Sequence, residues 1–252
     1  MASLYDMVRF LDTYLAIDEI EDSCWNGLQF EGSVEVTTVV TAVDSSVETF
    51  ELAAAEGAQM VVVHHGLFWK GLNPSLTGWT RRRIDYLAAR RMSLYACHLP
   101  LDRHPEVGNN ARLLAMMGAS IEGGFFEERG KNVGWVGVME DPSPLERVTA
   151  LLEEGLGGPL KILPFGPRMV RRVAVCSGGG GYRGFHEALS LGVDLYVTGD
   201  TVEVYATARD AGLSVVFGGH HATETLGPKA LVPVLQERFG VKALFVDVPT
   251  GL

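Results

Sequence analysis

A repeating grammar constrains this chain more than any other feature. Short apolar, β-branched runs alternate with amphipathic stretches of ten to fifteen residues along most of its length. "VEVTTVVTAVD" reads as a strand ending at Asp44, and "SSVETFELAAAEG" as a helix with a serine N-cap and Gly57 as its stop. "AQMVVVHHG" is the next strand, "TRRRIDYLAARR" the next helix, "MSLYACHLPLD" a strand with its loop, and "GNNARLLAMMG" a helix again. From Pro144 the order returns, with helices at "PLERVTALLEEG", "YRGFHEALSLG", "VEVYATARDAG" and "TETLGPKALVPVLQERFG". Between and after them lie strands at "RMVRRVAVCSG", "VDLYVTGD", "LSVVFGG" and "VKALFVDV". Parallel neighbouring strands need crossovers, which helices of this length supply, so the pattern predicts an α/β fold with a largely parallel sheet. The glycine-rich stretch 120–140 breaks the alternation, reads as antiparallel strands or a hairpin, and marks the expected lobe boundary.

Composition narrows the function classes. With 252 residues the chain buries roughly three quarters of its unfolded surface and sits near the upper limit of a single core. A formal charge of −10 argues against holding nucleic acid by neutralising phosphates, which requires a basic surface. The five arginines within residues 81–91 read as a solvated helix face or a subunit contact, with a local basic patch as the alternative. The opening "MASLYDMVRFLDTYLAIDEI" carries four acids and no basic region before an apolar run, so it reads as an amphipathic helix and the protein is expected in the cytoplasm. No apolar stretch approaches the ~20 residues of a membrane helix. Cys24, Cys97 and Cys176 are far apart, without a CxxC spacing, and are expected to be reduced and buried.

Chemistry concentrates at predicted strand ends. Five of the seven histidines fall there, namely His64, His65, His98, His220 and His221, and in open α/β sheets ligands gather at the carboxyl ends of strands. Adjacent strand residues point to opposite faces, so His64 and His65 converge only where the strand is ending, which Gly66 permits; otherwise each ring serves a different ion. A two-metal site fits the pair at least as well as a one-metal site. Asp102 follows Pro100 and is expected in a loop, where its two oxygens suit it to bridging two cations. His220 and Glu224 stand four apart: they share a helix face if the helix begins here, whereas Thr223 as N-cap would leave His220 in the preceding loop. Imidazole and carboxylate without thiolate suit Zn, Mn, Fe, Co or Ni better than a closed structural zinc site. The glycines 178–181 read either as a tight turn or as a phosphate cradle, without the signature of a P-loop. Asp200, in "YVTGD", is either a site-lining carboxylate or a helix cap.

Together "NGLQFEG", "TAVDSS", "VVHHGLFWKG", "HLPLDRHPEVGNNA", "TGD" and "GHHATE" resemble the family of GTP cyclohydrolase 1 type 2 homologues, or NIF-three-like proteins, in its short bacterial form. The blocks run in the family's order from residue 26 to residue 224. The resemblance implies one NIF-three-like domain over 1–252, built of two similar interlocked α/β lobes with mixed, largely parallel sheets flanked by helices. The approximate lobes are 1–125 plus 215–252, holding most metal ligands, and 126–214. It implies a homohexameric ring and two divalent metal ions per chain, with His64, His65, Asp102, His220 and Glu224 as ligands. It singles out His220 over His221, and places His98 near the metals, either supporting the ligands from behind or as a proton carrier. The histidine that some branches carry after "TGD" is missing here.

Two divalent ions ~3.5–4 Å apart suit hydrolysis, by polarising a phosphoryl or carbonyl oxygen and acidifying water. The expected function is therefore a metal-dependent hydrolase acting on a small phosphorylated or nucleotide-like substrate, with His98 as the catalytic proton carrier. The competing expectation is a non-catalytic metal-binding ring that serves as scaffold, chaperone or metal store. A nucleic-acid-associated ring is disfavoured by the acidic charge, and no membrane partner is expected.

Overall fold

The computed structural model describes residues 1–252. In chain order the strands are β1 (Ala2–Ser3), β2 (Gly27–Phe30), β3 (Glu35–Val36), β4 (Thr38–Asp44), β5 (Met60–His65), β6 (Ser93–Ala96), β7 (Ala119–Glu128), β8 (Lys131–Pro144), β9 (Lys161–Leu163), β10 (Met169–Cys176), β11 (Leu195–Thr198), β12 (Ser214–Phe217) and β13 (Lys242–Phe245). They form an α/β fold in two compact units, Met1–Leu101 with Gly227–Val248, and Asp102–Leu226 with Pro249–Leu252.

The first unit is organised by a five-stranded sheet in the order β13-β4-β5-β6-β2. Its first four strands are parallel and β2 closes the edge antiparallel to β6. β4 and β5 are buried almost throughout, which is why they read as continuous Val-rich runs: helices cover both faces of such strands. Val40, Val61, Val63 and Leu94 of the sheet share a core with Phe50 and Ala53 of helix Val47–Ala55 and Leu87 of helix Gly78–Arg90. Ser46 caps the first of these helices, its hydroxyl accepting from the Thr49 N–H at 3.0 Å, and Gly57 beyond its end adopts φ 73°. Both ends follow the sequence reading.

In the second unit the sheet order is β7-β8-β10-β11-β12-β9. β10, β11 and β12 are parallel; the β7/β8 hairpin and β9 add antiparallel edges. The hairpin expected across 120–140 is present. It lies within the second unit rather than at a boundary, because β8 pairs directly with β10. For the same reason segments 102–125 and 215–226, assigned by sequence to the first lobe, belong here: β7 and β12 are strands of this sheet. Its core joins Leu113, Leu114, Val148 and Leu152 from the helices to Val173, Val175, Val197 and Val216 from the strands.

All three cysteines are buried; burial pushes the Cys24 thiol up to about 12. No helix is long and apolar enough to cross a membrane. Helix Val47–Ala55 provides an internal test of the packing, since Phe50 is fully buried and Leu52, two residues on, is 39% exposed. Phe50→Ala is expected to destabilise by about 3–5 kcal/mol and Leu52→Ala by less than about 0.5 kcal/mol, as measured by urea unfolding.

Candidate metal centre

In both units histidines follow the carboxyl ends of parallel strands, His64, His65 and His98 in the first and His220 in the second. In the first, β4 ends at Asp44, β5 at His64 and His65, and His98 follows β6 by two residues. The ring centroids of His64 and His65 are 4.6 Å apart, those of His64 and His98 5.0 Å, and those of His65 and His98 5.6 Å. One ring nitrogen from each of the three lies within 4.8 Å of the others, a spacing able to hold a metal ion. The neighbouring histidines meet because the strand ends with them, its last ladder bond running from the Ser45 N–H to the His65 carbonyl. Gly66 is not left-handed; it is glycine for lack of space, since a Cβ there would collide with the Gln29 amide and come within 2.7 Å of the Ala96 Cβ.

The second unit supplies Asp102, His220 and Glu224. Asp102 lies in the short helix Leu99–Arg103, not in a loop. Pro100 sits in the first turn of that helix, where its missing N–H costs no hydrogen bond. The Asp102 Oδ1 accepts from Asn109 Nδ2 at 2.8 Å and from the Ser177 hydroxyl at 2.9 Å. His220 and Glu224 occupy the two ends of the one-turn helix His220–Glu224, with Nε2 and Oε1 3.2 Å apart. Of the two geometries open to the sequence, the shared helix face is the one formed. Thr223 is not its cap: the Thr223 hydroxyl donates back to the Gly219 carbonyl.

The glycine loop explains itself through these carboxylates. A Cβ on Gly178 would collide with Glu224 Oε1, one on Gly179 would lie 2.8 Å from Asp200 Oδ2, and one on Gly180 would strike the Tyr196 hydroxyl. The loop is glycine-rich so that Glu224 and Asp200 can approach its backbone, and two carboxylates at such range oppose a phosphate there. Asp200 is a site carboxylate rather than a cap, its Oδ1 2.9 Å from His220 Nδ1, while the next helix starts only at Tyr205.

One arrangement recurs in both units. His64 Nδ1 faces the Cys97 carbonyl at 3.1 Å, His65 Nδ1 faces Asp44 at 2.9 Å, His98 Nδ1 faces Asp22 at 2.9 Å and His220 Nδ1 faces Asp200 at 2.9 Å. A carbonyl or carboxylate can only accept, so each of the four rings carries a proton on Nδ1, which leaves Nε2 as the nitrogen for a metal, as in metal-ligating histidines; at His220, whose Nε2 faces the Glu224 carboxylate at 3.2 Å, a second proton must first leave. Burial opposes the charge on Asp22, yet hydrogen bonds from His98, Asn26 and the Cys24 N–H hold its carboxyl well below the usual range. It is a permanent anion behind His98. His221 is buried and its backbone N–H is bonded to the Leu252 carbonyl. The sequence analysis assigns no role to the acceptors Asp22 and Asp44 or to the anchors Asn109 and Ser177, although Asp44, inside "TAVDSS", and Asn109, inside "HLPLDRHPEVGNNA", lie in blocks that carry a signal.

Imidazole and carboxylate donors with oriented Nδ1 protons, and no thiolate among them, fit a divalent metal of the borderline class. The fold and these donor groups define an α/β protein with a candidate metal centre built on strand ends. The Duf34/NIF3 (NGG1p interacting factor 3) family matches residues 2–251. A Pyrococcus horikoshii protein described as a GTP cyclohydrolase 1 type 2 homolog is 44% identical over 249 residues, 98% of either chain. An Archaeoglobus fulgidus protein with the same description is 43% identical over 251 residues, 99% of this chain and 100% of its own. A solved structure described as protein ybgI, of unknown function, superposes with a TM-score of 0.91 at 36% identity over all of both chains. The chain belongs to the Duf34/NIF3 family.

Two outcomes follow from this geometry. The Glu224 carboxylate hydrogen-bonded to His220 pushes that imidazole up to about 9. A metal at this pair must displace the proton, so its affinity is expected to rise by about tenfold per pH unit up to that value and flatten above it, read by competition with a chelator of known affinity. Gly178→Ala is expected to lower metal content by displacing Glu224 while leaving the far-UV circular dichroism unchanged.

Proposed function

We propose that this protein is a metal-dependent hydrolase for a small phosphorylated or nucleotide-like substrate, with His64, His65, Asp102, His220 and Glu224 holding two divalent ions. The observation that carries the reading is the common orientation of the imidazoles, each with Nδ1 committed to an acceptor, so that Nε2 is the nitrogen left to bind a metal. The buried Asp102, clamped by Asn109 and Ser177, supports a bridging role, and the relatives described as GTP cyclohydrolase 1 type 2 homologs support the substrate class. The proposal includes a cytoplasmic homohexamer, in keeping with the resemblance in the sequence.

When bound, two such ions supply Lewis-acid polarisation and a water acidic enough to react near neutral pH. The chain's own contribution is positioning and proton handling. His98 moves the proton at Nε2, while Asp22, anionic throughout, keeps the other proton on Nδ1 and favours the imidazolium as it forms. Asn26 fixes both partners, its Oδ1 accepting from the His98 N–H at 2.8 Å and its Nδ2 donating to Asp22 at 3.0 Å. Trp69 meets the His98 ring edge-on at 5.0 Å.

The test is elemental analysis of the purified chain combined with turnover assays on phosphoesters, nucleotides and cyclic amides. Two ions per chain and metal-dependent turnover are expected, both lost in His65→Ala and Glu224→Ala. His98→Gln is expected to keep both ions and lose turnover by about a hundredfold or more. Fewer than one ion per chain, or loss of metal in His98→Gln, contradicts the assignment. Full metal content with no turnover of any substrate favours a scaffold or metal store instead.

A further inference from the structure

An open cavity of about 890 Å³ lies in the first unit beside the histidine trio, within the ~300–1,000 Å³ typical of small-molecule sites. Three of the chain's four tryptophans, Trp25, Trp69 and Trp79, line it. Two of its lining residues contact the trio. Trp69, whose ring is 5.0 Å from His98 and 6.0 Å from His65, faces the cavity, as does Asn26, which holds the His98 backbone. On the rim, Trp25 and Trp79 are 57% and 55% exposed, an unusual outlay of aromatic surface to water.

The chemistry of the lining narrows the occupant. The Lys70 ammonium lies 5.5 Å from the Trp25 ring and the Arg83 guanidinium 4.9 Å from that of Trp79. With cations already at both rings, a positively charged ligand is repelled, whereas a neutral ring or one bearing an anionic group is favoured. Two of the three lining amides are committed elsewhere. Asn26 bonds His98 and Asp22, and Gln29 donates to the Trp25 carbonyl at 2.6 Å while accepting from the Leu67 N–H at 2.7 Å. Recognition here rests on flat apolar surface and not on hydrogen bonds to a ring's edge, and stacking of that kind tolerates any base.

We infer that this cavity is the substrate-recognition subsite and takes a planar heteroaromatic ring carrying an anionic group, held on Trp25 and Trp79 with little discrimination between ring types. The inference deepens the hydrolase reading by adding what the substrate must carry, but the binding it describes stands or falls without turnover. A small molecule is favoured over a second copy of the chain because the surface is concave, is lined by Trp69 and Asn26, which contact the histidine trio, and has Lys70 and Arg83 at its Trp25 and Trp79 rings.

The experiment titrates the full chain, metal-loaded and metal-free, with AMP, GMP and ribose 5-phosphate. Equilibrium dialysis measures binding, and quenching of tryptophan fluorescence locates it. AMP and GMP are expected to bind within about threefold of each other, because stacking is base-tolerant, and ribose 5-phosphate about tenfold or more weakly. Trp25→Ala and Trp79→Ala are each expected to weaken AMP by about tenfold while leaving metal content and ribose 5-phosphate binding unchanged. Equal binding of ribose 5-phosphate, or AMP affinity indifferent to both substitutions, overturns the inference. So does a change of oligomeric state in Trp25→Ala, seen by light scattering without a change in AMP binding, which assigns the face to a second copy. Absence of turnover with this binding pattern intact removes the hydrolase reading and leaves the subsite. Turnover of ring-free substrates, insensitive to Trp25→Ala, does the reverse.

Discussion

The hydrogen bond from an imidazole Nδ1–H to a fixed acceptor is the interaction on which the rest of this structure depends. It occurs at His64, His65, His98 and His220, each time with an acceptor that cannot donate. It settles the tautomer, the ring orientation and the nitrogen that is presented as donor. Much of the surrounding architecture serves to hold these acceptors. Asp44 is the last residue of β4, Asp200 follows β11 by two residues, and Asp22 is anchored by Asn26 and the Cys24 N–H. Within each sheet the parallel strands make this simple, since their carboxyl ends lie on the same edge and each strand can add a donor or an acceptor to it.

Such a site works against stability when empty. Asp102 and Glu224 are 4% and 3% exposed, and burying a carboxylate is costly unless it is paired or bound to a cation. Asn109 and Ser177 offset part of this at Asp102, and His220 at Glu224. The Glu224 carboxylate holds the His220 proton up to about 9, which sets an imidazolium against this buried anion. Gly178 and Gly179 reflect the same bargain, because side chains there would collide with Glu224 and approach Asp200.

How much of this was legible in the sequence depended on the range of the interaction. β4 and β5 were readable because strands covered on both faces become unbroken apolar runs, and Ser46 and Gly57 marked the ends of the helix between them. The candidate ligands were readable because they are unusual residue types at strand ends. Pro100 misled, since proline opposes a helix interior but not its first turn, and Asp102 is helical. The hairpin at 120–140 was seen as a hairpin yet misjudged as a boundary, because only strand pairing reveals that β8 continues into the sheet of β10. Asp22 left no trace at all: it lies in an irregular loop, 76 residues from the ring it orients.

The most direct measurement of the central claim is the tautomeric state of these histidines in the zinc-loaded protein, from long-range ¹H–¹⁵N correlation of ¹⁵N-labelled imidazoles. The account predicts that His64, His65 and His220 are protonated at Nδ1 and bind zinc through Nε2, and that neutral His98 carries its proton on Nδ1 as well. An Nε2–H tautomer at any of the three proposed ligands, or zinc bound through Nδ1, would contradict it.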